Sequence, residues 1–206
     1  MRIGLAGAQG VGKSTLAEAV SNETDLPLIF TKTSDVFKDM GLRPDQDLGF
    51  DTRIEVQNEV LNRAEDLWSD HVSFITDRTP LDMLAYTLID INSDTRMNVR
   101  QEAEFFAYEH RCYESLNRHF TNVTLVQPGI QAGFQQNKSR ASLDKCLVST
   151  MNTILLGLLV DSRVAIYKSM IPAYILDLGE RVEAIDMAVN KSALRFMQGL
   201  EECSVH

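Results

Sequence analysis

The chain has 206 residues, 44% hydrophobic and 24% charged, which is enough apolar content to bury a core of ordinary globular size. Its 20 Lys and Arg stand against 29 Asp and Glu, and the net charge of -9 excludes a general polyanion or membrane-surface binder while leaving room for a local basic cleft. The three cysteines, Cys112, Cys146 and Cys203, form no CxxC or His/Cys cluster, so reduced thiols in a cytoplasmic protein are expected.

In chain order, RIGLA (2–6) reads as a first buried strand with no secretory leader ahead of it, and 13–22 as a helix. LPLIFT (26–31) reads as a second strand. A helix is expected over 51–69, where Ile54, Val60, Leu61, Ala64 and Trp68 form an apolar stripe and Asp51 or Thr52 would cap the start. VSFIT (72–76) is β-rich and predicts a third strand, after which Pro80 suits the first position of a helix over LDMLAYTLI. A long helical pattern follows at 96–119, then a fourth strand at NVTLVQP (122–128), stopped by Pro128-Gly129. QAGFQQNKSRAS (131–142) is polar and reads as a loop. It leads into a helix through ILLGLLV (154–160), an apolar run well short of the roughly 20 residues a membrane span needs. RVAIYKS (163–169) predicts a fifth strand and LGERVEAIDMAVNKSALRFM a closing helix.

Strands alternating with helices imply an α/β fold, with a five-stranded parallel sheet between two helical layers. A single domain over 1–206 is expected, with a small lid at about 129–142 as its one candidate mobile segment.

Gly7-Ala8-Gln9-Gly10-Val11-Gly12-Lys13-Ser14 matches G-x-x-x-x-G-K-[ST], the P-loop pattern, and is followed by Thr15. It stands where the pattern has physical meaning, after a strand and before a helix. The glycines let successive backbone N–H groups converge on a phosphate, and the helix start adds partial positive charge. Lys13 can reach the β and γ phosphates, and the Ser14 hydroxyl can ligate Mg²⁺. ATP and Mg²⁺ are therefore the expected donor and metal.

The second chemical stretch is FITDRTPLDMLAY (74–86). Asp77 ends an apolar strand, where a carboxylate faces the P-loop and can bind Mg²⁺. Arg78 beside it offers a planar fork for a phosphate.

GAQGVGKST followed by TDRTPLDMLAY resembles the P-loop kinases of nucleosides and nucleotides. Thymidylate kinases and deoxynucleoside kinases carry such a D/E-R pair at the end of the third strand. The run is more similar still to the nicotinamide riboside kinase type, with its D-R-x-P/S-x-D-x-x-A-Y-like stretch. That broad group includes phage 5-hydroxymethyluracil DNA kinases and deoxynucleoside monophosphate kinases. The resemblance covers most of the chain in layout and is specific at 7–15 and 77–86. It implies transfer of phosphate from ATP to a nucleoside-type acceptor, foremost the hydroxymethyl group of 5-hydroxymethyldeoxyuridine in DNA. A deoxynucleoside monophosphate is the alternative acceptor.

The chain departs from nucleoside kinases at FTKTSDVFKD (30–39), which has no Glu. Lys32 there suits a substrate that already carries phosphate. Asp35 is either the general base that accepts the acceptor's proton or the N-cap of a helix at 36–40. Lys138 and Arg140 are the lid cations that would meet the transferring phosphate. Arg96, Arg100 and Arg111 read as surface residues, one of which would line the substrate cleft. Asn137-Lys138-Ser139-Arg140 begins like a guanine-reading N-K-x-D but ends in Arg, which disfavours a GTPase. A regulatory ATPase without an acceptor is the alternative of another class. The protein is expected to be a monomer or homodimer without a membrane partner.

Overall fold

A computed structural model describes residues 1–43, 46, 48–91, 96–129 and 145–204. Within them run β1 (Arg2–Ala6), α1 (Lys13–Thr24), β2 (Leu28–Ile29), α2 (Thr33–Asp39), α3 (Phe50–Ser69) and β3 (Phe74–Thr76). These are followed by α4 (Pro80–Asp90), α5 (Val99–His119), β4 (Asn122–Val126), α6 (Lys145–Val160), β5 (Tyr167–Ile171) and α7 (Leu178–Ser204). The strands form one sheet in the order β2-β3-β1-β4-β5, and every neighbouring pair is parallel. The α/β expectation holds, including the strand count.

β1 lies at the centre, with Gly4 level with Thr76 of β3 on one side and Ala6 level with Leu125 of β4 on the other. Strands buried on both faces read as continuous apolar runs, and β1 from Ile3 onward and all of β3 and β4 are buried. α1 and α7 pack on each other and reach the sheet through β1–β3 and β4–β5 respectively. α3, α4, α5 and α6 form a second group. Here Trp68 of α3 meets Phe120 edge-on with centroids 4.9 Å apart, and Phe120 meets Phe74 of β3 at 5.6 Å. Each such aromatic, fully withdrawn from water, contributes on the order of 1.5–3 kcal/mol.

Several boundaries differ from the sequence reading. β2 shrinks to two residues because it is an edge strand preceded by Pro27, which has no N–H to donate, though its carbonyl accepts from Ile75. β3 begins at Phe74, since Val72 is 94% exposed and has no strand partner among the described residues. β5 starts at Tyr167, not at 163. Residues 161–164 are held in a turn by the Val164 N–H on the Asp161 carbonyl, and Arg163 is bonded to the Asp161 carboxylate. Neither Asp51 nor Thr52 caps α3. Gly49 holds that position, and the Asp51 carboxylate accepts from Arg100 and Gln101 at the start of α5. α5 begins at Val99 behind an Asn98–Gln101 capping box. The Pro80 expectation is met: Thr79 caps α4 and Pro80 is its first residue.

Candidate functional site

The site grows from the C-terminal edge of the sheet, where the chain leaves β1. Residues 7–12 turn sharply before α1 begins at Lys13, with Gly10 at φ 81° and Gly12 at φ 90°, a left-handed backbone that side chains resist. At Gly7 the chain runs so close to β4 that a Cβ would lie 2.7 Å from the Val126 carbonyl oxygen. α4 and α5 open with capping boxes, whereas α1 has no side-chain cap and no acidic residue in its first turn. Among the described residues no backbone N–H from Gly10 to Ser14 donates to a protein acceptor. Unpaired donors, a glycine-bare backbone and a helix N-terminus together make an anion cradle.

Lys13 folds back over this loop. Its Nζ donates to the carbonyl oxygens of Gly7 and, at 3.0 Å, Ala8, and lies 3.7 Å from the Asp82 carboxylate. Burial pushes its pKa below the ordinary lysine value, and Arg78 adds to that. Asp82 and, more weakly, Asp77 oppose the shift. Asp82 is buried at the first turn of α4 and joins the two chemical stretches. One oxygen accepts the Gly7 N–H at 3.0 Å, and the other accepts the Thr79 N–H at 2.9 Å and hydroxyl at 2.7 Å.

The Ser14 hydroxyl donates to the Asp77 carboxylate, so the two expected metal ligands are adjacent although 63 residues separate them in sequence. Mg²⁺ takes six oxygens and usually only one or two from protein carboxylates, the rest being water and substrate phosphate. A hydroxyl beside a carboxylate at the mouth of an anion cradle fits a Mg²⁺-nucleotide. Among the described residues there is no three-carboxylate or His/Cys cluster that would instead form an all-protein metal cage. Arg78 follows Asp77, half-buried, with its guanidinium carbon 5.6 Å from the centre of the Tyr86 ring. No carboxylate pairs with Arg78 among the described residues.

Other candidates stand apart from this group. Lys32 occupies the N-cap position of α2, and Asp35 lies inside its first turn; both side chains are exposed. The N-cap reading of Asp35 is thereby corrected: the helix starts at Thr33, three residues earlier than the pattern suggested, and no side chain caps it. Neither residue is bonded to Lys13, Asp77 or Arg78 among the described residues. Arg100 and Arg111 line a groove of about 450 Å³ between α3 and α5, but their charge is met there by Asp51, Glu104 and Glu65. Arg96 is exposed ahead of α5. The lid segment with Lys138 and Arg140 lies outside the described residues.

The residue that sequence reasoning gave no role is Asp82. Its signal is Thr79-Pro80-Leu81-Asp82, a capping-box spacing directly after Asp77-Arg78. That spacing predicts a carboxylate turned back toward the strand end rather than out to solvent.

Known structures share this architecture. The chain resembles deoxyadenosine kinase from M. mycoides, solved with the products dCMP and a flexible dCDP. Identity is 18% and TM-score 0.59, over 93% of this chain and 99% of that one. It also resembles thymidylate kinase from Candida albicans at 12% identity and TM-score 0.57, over 93% and 92% of the two chains. At such identities the likeness is one of fold, the P-loop kinase fold. No curated protein sequence matches the chain. The AAA domain family matches residues 3–105, which is half of the chain and spans the P-loop, Asp77-Arg78 and α4. By that match, the chain belongs to the AAA domain family.

Proposed function

We propose that this protein is an ATP-dependent phosphotransferase acting on a nucleoside-type acceptor. The observation that carries the reading is the convergence of Lys13, Ser14 and Asp77 on an uncapped, glycine-bare helix start, with Arg78 beside them. Mg²⁺ at Ser14 and Asp77 would neutralise charge on the donor phosphates. The Lys13 ammonium exchanges the Gly7 and Ala8 carbonyls for phosphate oxygens when the triphosphate enters. Unpaired N–H groups of the loop hold the same oxygens. Arg78 supplies a bidentate cation on the acceptor side of the transferring phosphoryl group. Asp35 is assigned the acceptor hydroxyl's proton and Lys32 the acceptor's own phosphate, from the first turn and the N-cap of α2.

Two acceptors are compatible with this site. The run at 77–86 favours the hydroxymethyl group of 5-hydroxymethyldeoxyuridine in DNA. The fold shared with thymidylate kinase, together with the net charge of -9, favours a free deoxynucleotide. Labelled ATP offered with hydroxymethyluracil-containing DNA and with a panel of deoxynucleoside monophosphates separates them. Label in the polymer selects the first, and label in a diphosphate the second. ATP binding with no transfer to either would replace the kinase reading by a regulatory ATPase.

A further inference from the structure

Arg181, in the first turn of α7, is 1% exposed, which is unusual for arginine. No carboxylate pairs with it among the described residues, and burial alone draws its pKa below the ordinary arginine value. Its Nη1 donates to the carbonyl oxygen of Val11 in the P-loop at 3.0 Å, and its Nε to the carbonyl oxygen of Ile175 at 2.8 Å. Its Nη2 has no acceptor among the described residues. An unpaired buried cation is expensive, and an apolar side chain of the same volume often serves stability as well or better.

The Val11 bond explains what this cost maintains. In a trans peptide the C=O and the following N–H point in opposite directions. Anchoring the Val11 oxygen on Arg181 therefore turns the Gly12 N–H the other way, into the cradle. Gly12 has no side chain to hold this orientation, and its left-handed φ of 90° makes the adjoining peptide one of several a glycine can adopt. A charged donor on the oxygen also polarises that peptide and strengthens its N–H as a donor.

We infer that Arg181 is a positioning residue that presets the Val11–Gly12 peptide for a triphosphate. It also ties the P-loop to the segment after β5 through Ile175. The inference rests on the P-loop reading above and extends it to a residue 168 positions away from Lys13, on the last helix.

The test compares wild type with R181M and R181K. Calorimetric titration measures affinity for Mg-ATP and for inorganic triphosphate, and thermal unfolding is followed without ligand. R181M should melt within a few degrees of wild type, because loss of a buried unpaired charge offsets two orphaned carbonyls. Its affinity should fall about tenfold for ATP and for triphosphate alike, the scale of one charge-assisted hydrogen bond. R181K, able to reach one carbonyl but not both, should lose about threefold. Undiminished ATP and triphosphate affinity in both variants would overturn the inference. So would a loss confined to ATP with triphosphate unchanged, which would move Arg181 to the base side. If R181M does not fold, R181K alone decides by the same criterion. Failure of wild type to bind either probe would instead overturn the P-loop reading itself.

Discussion

Replacing Asp82 with Ala removes the junction between the P-loop and α4. The carboxylate is 1% exposed and accepts the Gly7 N–H, the Thr79 N–H and the Thr79 hydroxyl. In the alanine variant the two backbone donors lose their acceptor where water does not replace it, at about 1–2 kcal/mol each. Loss of the charge facing Lys13, itself largely buried at 3.7 Å, adds about 1 kcal/mol. The sum is about 3–5 kcal/mol, which for a chain of this length lowers Tm by on the order of 10 °C. Calorimetric unfolding at neutral pH with matched urea titrations measures it, and an unchanged urea slope would show that stability, not compactness, has altered. ATP affinity should fall in the same variant, since Gly7 and Lys13 both lose their anchor. A Tm within about 2 °C of wild type, with ATP binding intact, would refute the assignment of Asp82 as the tie between the two motifs.

Further outcomes follow from single contacts. Ser14→Ala and Asp77→Ala should each raise the Mg²⁺ concentration needed for half-maximal phosphoryl transfer while leaving the unfolding midpoint near wild type, because both act through the metal. Gly129→Ala would place a Cβ 1.8 Å from the Ala173 carbonyl oxygen, backbone against backbone, and should destabilise by about 3 kcal/mol, read from urea unfolding. Hydrogen bonds from Arg163 pull the Asp161 carboxyl down to about 2. The stability it adds is present above its unfolded value of 3.8 and lost as pH falls through about 2, so Asp161→Asn should flatten the acid limb of unfolding within that window.

The P-loop was legible because its chemistry is local: Gly7 to Ser14 specify the turn, the helix start and the donors within eight consecutive residues. Asp77 was legible because an apolar strand ending in a carboxylate has one natural position in a parallel sheet. The Thr79-Pro80 helix start followed from proline geometry. Boundaries failed where partners decide them. The extent of β2 depends on β3 and on Pro27, and that of β5 on an Asp161–Arg163 turn that periodicity does not register. Asp51 has the chemistry of a helix cap, but Arg100 and Gln101, about 50 residues away, draw its carboxylate across to α5. Arg181 sits on the buried stripe it shares with Ile185 and Ala188, and a cation on an apolar stripe was the one sequence sign of a long-range role.

Titration of ATP into wild type and Lys13→Ala, each with and without Mg²⁺, tests the central claim most directly. Wild type should bind one ATP per chain and bind it more tightly with Mg²⁺. Lys13→Ala should lose most of that affinity while still unfolding cooperatively, its midpoint lowered only by loss of the Asp82, Gly7 and Ala8 contacts. Equal ATP affinity in the two proteins, or binding indifferent to Mg²⁺, would contradict a nucleotide site built from Gly7–Thr15 and Asp77.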